Sequence, residues 1–131
     1  MPIKNKLKLT DYNVTDLILS KYKEIYTNST ITSGILNIDL NQGNVFLITL
    51  NENITTINIL NVPNLDNIIV AFTLVLTISG SGRVVSWPSN VKWQNSASAV
   101  VTQTDGKKDF FSFITMDKGV NWFGFIGGQN Y

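Results

Sequence analysis

From Ile25 onward, apolar and polar residues alternate along most of the chain with the two-residue period of β-strands. Leu36, Ile38 and Leu40 fall on one side, with Asn37 and Asp39 on the other. Asn41-Gln42-Gly43-Asn44 then reads as a turn. Val45–Leu50 is apolar on both faces, Asn51-Glu52-Asn53 turns again, and Ile54–Leu60 resumes the alternation. After a loop around Pro63 comes the longest strand pattern. Ile68, Val70, Phe72, Leu74, Leu76 and Ile78 point one way, and Ala71, Thr73, Val75, Thr77 and Ser79 the other. The first set is the expected core side. The second, small and β-branched, suits close packing against another sheet or subunit.

Gly80-Ser81-Gly82 turns the chain. A glycine pair after a strand would cradle a dinucleotide only if a helix followed, and Arg83–Trp87 reads as a further strand. Trp87-Pro88-Ser89-Asn90-Val91-Lys92-Trp93 is a corner flanked by two indoles. These rings either cap the end of a core or offer a platform on which a sugar stacks. Ala97–Thr102 is expected to be a short strand, and Thr104–Lys107 a turn.

The chain ends in an aromatic hairpin. Asp109–Met116 and Asn121–Ile126 are strands joined by Asp117-Lys118-Gly119, whose residue types suit a tight turn. Phe111 and Phe113 share one face, with Phe110 and Ile114 opposite. Phe123 and Phe125 share a face, with Trp122 and Ile126 opposite. A hairpin apolar on both sides belongs between two layers, or between a core and another copy of the chain. Phe111, Phe113, Trp122, Phe123 and Phe125 are therefore candidates for core or subunit interface.

Residues 1–24 differ from the rest. Lys4, Lys6, Lys8 and Lys21 lie in the first 21 positions. Thr15–Glu24 can be drawn as about two helical turns with Thr15 as N-cap, placing Leu17, Ile18 and Tyr22 on one face. It can equally be drawn as an extended arm. Lys4, Lys6, Lys8, Leu17, Ile18 and Tyr22 are the candidates for attachment to a partner surface.

Composition narrows the chemistry. With 131 residues, the chain fits one domain, expected at 25–131, behind an arm at 1–24. Strand patterns spaced by Asn- and Gly-rich turns predict an all-β fold, an antiparallel, jelly-roll-like sandwich. Charged residues are 15% and the net charge is +1, too weak for a nucleic-acid groove. No stretch reaches the ~20 apolar residues of a membrane helix, and no signal peptide is visible. The chain has no Cys and no His, hence neither a thiolate nucleophile nor an imidazole base or ligand. No cofactor is expected. Asp105 and Asp109 flank a Gly-Lys-Lys turn, a sparse donor set for calcium.

Four motifs carry a resemblance: Val84-Val85-Ser86-Trp87-Pro88, Val91-Lys92-Trp93, Asp109-Phe110-Phe111-Ser112-Phe113, and Asp117–Asn130. In this order they resemble a small β-domain of tailed-bacteriophage virion proteins, found in capsid decoration proteins and at the C-termini of tail fibres. The likeness covers about 100 residues, reaching upstream through Gly43–Leu50 and Ile54–Leu60. It implies a non-enzymatic virion protein that assembles as a homotrimer. Fibre versions usually follow a long shaft. Here only residues 1–24 precede the domain, so the expectation is a capsid decoration (cement) protein on the major capsid protein. The alternative is an appendage module that binds a host receptor or carbohydrate, with Trp87 and Trp93 as stacking candidates.

Overall fold

The computed structural model describes residue 9 and residues 13–131. It is an all-β sandwich of two packed sheets. The strands are β1 (Tyr26–Ser29), β2 (Ile31–Thr32), β3 (Ile35–Asp39), β4 (Val45–Leu50), β5 (Thr56–Leu60), β6 (Val70–Ile78), β7 (Val91–Trp93), β8 (Lys108–Thr115) and β9 (Trp122–Gly128). The larger sheet has the order β1-β4-β6-β8-β9-β7 and the smaller the order β2-β3-β5.

The pairing departs from an antiparallel jelly roll. β1–β4, β4–β6, β3–β5 and β7–β9 run parallel, while β2–β3, β6–β8 and β8–β9 run antiparallel. The parallel pairs arise because the first half of the chain winds in coils. Tyr26 lies opposite Val45, and Ile35 opposite Thr56. The coil β1–β3 therefore stacks on the coil β4–β5 with steps of 19 and 21 residues. Asn58 Nδ2 donates to Asn37 Oδ1 at 3.0 Å, a side-chain rung between coils. A third coil begins with β6 and closes through one bridge, Ile54 opposite Val85. The antiparallel pair β8–β9 then completes the larger sheet.

Alternation drives the packing. Phe46, Ile48 and Leu50 of β4, Phe72, Leu74, Leu76 and Ile78 of β6, and Phe111 and Phe113 of β8 are buried on the inner face of the larger sheet. Leu36 and Ile38 of β3, with Ile57 and Ile59 of β5, close over part of it. The segment from Val85 to Val101 covers the rest with Val85, Trp87, Val91, Trp93, Ala99 and Val101. Only about 10 Å³ of void remains among Ile38, Ile57, Ile59, Phe72, Leu74, Trp87 and Phe113, so the interior is closely packed.

Two local expectations differ from the structure, and one alternative is decided. Arg83–Trp87 is extended but forms a single bridge, held by Ile54 N–H to Val84 O and Ser86 N–H to Ile54 O. Ala97–Thr102 forms no strand, although Ala99 and Val101 are buried. Apolar content there serves to plug the core from a loop. Of the two alternatives for Thr15–Glu24, helix or extended arm, the helix is not formed. Asp16 has φ of 55°, left-handed backbone at the position meant to open the helix. Two turns with no surface to dock on are also too short to persist. Lys4, Lys6 and Lys8 lie outside the described residues. Among the described residues, no helix is long and apolar enough to cross a membrane.

Candidate functional site

The terminal hairpin separates its aromatics by face. Phe111, Phe113 and Trp122 are buried in the core, and Phe72 ties them together. Its ring stacks on Phe113 at 4.9 Å between centroids and meets Trp122 edge-on at 5.2 Å. Phe123 and Phe125 project from the other face and are 40% and 51% exposed.

Cross-strand register extends that outer face over the whole larger sheet. Val45 lies beside Tyr26 and Thr73, Leu47 beside Asn28 and Val75, Phe110 beside Val75, Ser112 beside Thr73 and Phe125, and Ile114 beside Ala71 and Phe123. No layer among the described residues packs across this face. Its polar strand positions are hydroxyls and amides, with Lys108 at the Thr77 end, Lys92 beside Phe123 at the opposite end, and no carboxylate among them. Val75, flanked by Leu47 and Phe110, is the one position there that its neighbours bury. The outcome is a broad, twisted, largely apolar surface on a rigid sheet.

The two candidate stacking residues sit inside the molecule's edge. Trp87 is half-buried, meets Phe111 and Trp93 edge-on at 5.1 Å each, and donates from Nε1 to Ala99 O at 2.7 Å. Its ring is committed to packing. Trp93 lies over Gly124, where any Cβ would come within 2.8 Å of the indole, so glycine is what lets the ring close down on β9. Trp93 Nε1 is buried without a hydrogen-bond partner among the described residues. Beyond Trp93, β7 stops and the chain turns away through Gln94–Ser96. An open groove of about 620 Å³ results, lined by Lys92, Trp93, Phe123, Phe125 and Ile126 among others. Ile126 pairs with Phe111 and belongs to the core side by register. It is nonetheless 51% exposed, because the covering strand has ended.

The carboxylates serve as local clasps. Asp109 is fully buried and accepts from Thr102 N–H at 2.7 Å, Asn130 N–H at 3.0 Å and Gln129 Nε2 at 3.1 Å. Burial pushes its pKa upward, but the hydrogen bonds from Thr102, Asn130 and Gln129 outweigh it and hold the group below the usual aspartate range. Asp105 instead accepts from Gly80 N–H at 2.7 Å, so the two aspartates of that turn serve different partners. Asp117 pins the hairpin turn. The backbone N–H and side-chain amide of Asn121, with Thr115 Oγ1, lower its pKa. Asp39 caps Asn41 and binds Asn61, while Glu52 binds Gly34 N–H. Among the described residues, no group of three or more Asp or Glu is arranged to hold a metal ion.

Of the arm candidates, Leu17, Ile18 and Tyr22 are 62%, 90% and 71% exposed, and residues 13–25 form no regular element. No family model, curated protein or solved structure matches the chain. The outer face and its groove, the features that sequence alternation only half revealed, are therefore read on their own geometry.

Proposed function

We propose that this chain is a non-enzymatic structural protein of a tailed-phage virion, a homotrimeric capsid decoration (cement) protein that binds the major capsid protein on the outside of the shell. The observation that carries this reading is the uncovered apolar outer face of the larger sheet. Such a face is stable in water only while small, and larger ones mark interaction surfaces. Its occupant in this reading is a second copy. Its exposed aromatic and aliphatic rows, Phe123 and Phe125 among them, suit burial against a different surface of a neighbouring copy, the head-to-tail contact that closes a ring of three. The basic N-terminal residues Lys4, Lys6 and Lys8 are the shell contacts, and many such weak contacts add through multivalency. Virions counted by quantitative mass spectrometry carry hundreds of copies on this reading. Particles stripped of the protein lose resistance to heat and regain it when the purified chain is restored. Unchanged heat resistance after stripping contradicts it.

A second reading, an appendage module binding host receptor or carbohydrate, draws on the groove beside Trp93 and Phe125. It requires a few tens of copies or fewer per virion, and glycan binding that Phe125→Ala abolishes while the fold is kept.

A further inference from the structure

Two parts of the chain are unsatisfied within a single copy. One is the edge of β9. β7 pairs with β9 only from Trp122 to Gly124, leaving Phe125, Ile126 and Gly127 with no strand on that side among the described residues. Trp122 N–H donates to Asn90 O across this edge. Alternation therefore aims the Ile126 N–H into the same edge, where the groove begins. A free strand edge with apolar flanks is a template for an added strand. The other part is the arm. Among the described residues, 13–25 join no strand ladder, and Leu17-Ile18-Leu19 is a run of three exposed aliphatic residues with no backbone partner there.

The two match in length, chemistry and charge. Three aliphatic residues meet a three-residue edge. Asp16 precedes the run, and Lys92 stands on the groove's rim without an acidic neighbour lining it. Resting on the self-association read above, we propose that Leu17–Leu19 of one copy add as a short strand to Phe125–Gly127 of a second copy, with Asp16 toward that copy's Lys92. The arm's own groove is a poor target. The arm joins β1, four strands away from β9 in the sheet, a crossing of ~19 Å. Residues 20–25 supply roughly 20–22 Å fully extended. All of that is consumed before the arm turns along β9.

The chain has no Cys, which makes the test direct. Ile18→Cys and Ile126→Cys, both at exposed positions, are made in separately tagged full-length chains, mixed and mildly oxidised. The expected result is a disulfide-linked pair carrying both tags, at least tenfold above that from Ile18→Cys mixed with Ile69→Cys. No such excess overturns the proposal, as does a link that forms only within one chain of the double variant. Loss of the link when soluble host glycan is added, at unchanged oligomer mass, also overturns it and gives the groove to a ligand. Sedimentation of the unmodified chain separates the two levels: assembly without the cross-link removes the arm exchange alone, whereas a monomer removes both readings.

Discussion

The two faces of the larger sheet are built from the same strands and both carry rows of apolar residues, yet among the described residues only one is covered by a second layer. On the inner side Phe46, Phe72, Leu74, Phe111, Phe113 and Trp122 are sealed by the smaller sheet and the Val85–Val101 segment. On the outer side Val45, Leu47, Phe110, Ile114, Phe123 and Phe125 occupy the alternate positions of the same ladders, with no layer of the described residues above them. The inner face explains why the chain folds. The outer face is left open by the described residues, and the proposed self-association would cover it. A sheet apolar on one side only would have needed polar residues at the outer positions, the usual alternation of a half-solvated sheet.

Substitutions that separate the faces test this contrast. The largest effect belongs to the inner side. Phe113→Asp places a charge among Phe72, Trp87 and Trp93 and is expected to abolish folding. Trp122→Ala, leaving a cavity beside Phe72, is expected to cost about 3–5 kcal/mol in urea unfolding. Phe125→Asp, on the outer side, is expected to leave unfolding within about 1 kcal/mol of the isolated wild-type domain while abolishing the oligomer. Equal loss of stability at Phe125 and Trp122 would erase the distinction between faces.

Smaller effects sharpen it. Gly124→Ala pushes Trp93 off β9 and is expected to cost about 1–3 kcal/mol, with a shift in tryptophan fluorescence. Asp109→Asn weakens the clasp on Thr102, Gln129 and Asn130 and is expected to cost about 1–3 kcal/mol at neutral pH. Because the Asp109 pKa is lowered on folding, its contribution is complete above the ordinary aspartate range, ~4. It is lost as the pH falls through that range toward the lower folded value. Wild type should therefore lose more stability than Asp109→Asn between pH 5 and pH 2. Asn58→Ala removes one exposed rung between coils and is expected to cost about 0.5 kcal/mol.

Much of the fold was legible because its signal is local. The alternation in β6 placed Phe72, Leu74, Leu76 and Ile78 on the core side, and the aromatic hairpin appeared where the residues called for it. The coil stack was missed, since a parallel partner lies some twenty residues away and leaves little local trace. Its trace is Leu36-Asn37-Ile38 repeated as Ile57-Asn58-Ile59 at a spacing of 21, the register of β3 on β5. Arg83–Trp87 and Ala97–Thr102 carry β-like composition, but they serve as covers whose backbones have almost no ladder to join. For the surface, the sequence revealed that the hairpin is apolar on both sides. It did not reveal that β7 ends at Trp93 and opens the groove beside Ile126, because where a neighbouring strand stops is decided by tertiary packing.

The central claim is that the outer face is covered by another copy of this chain. Sedimentation velocity of the purified protein at micromolar concentration tests it most directly. The account predicts a species of three times 14.6 kDa that Phe125→Asp reduces to a folded monomer. A folded 14.6 kDa monomer for the wild type, unchanged up to millimolar concentration, contradicts it.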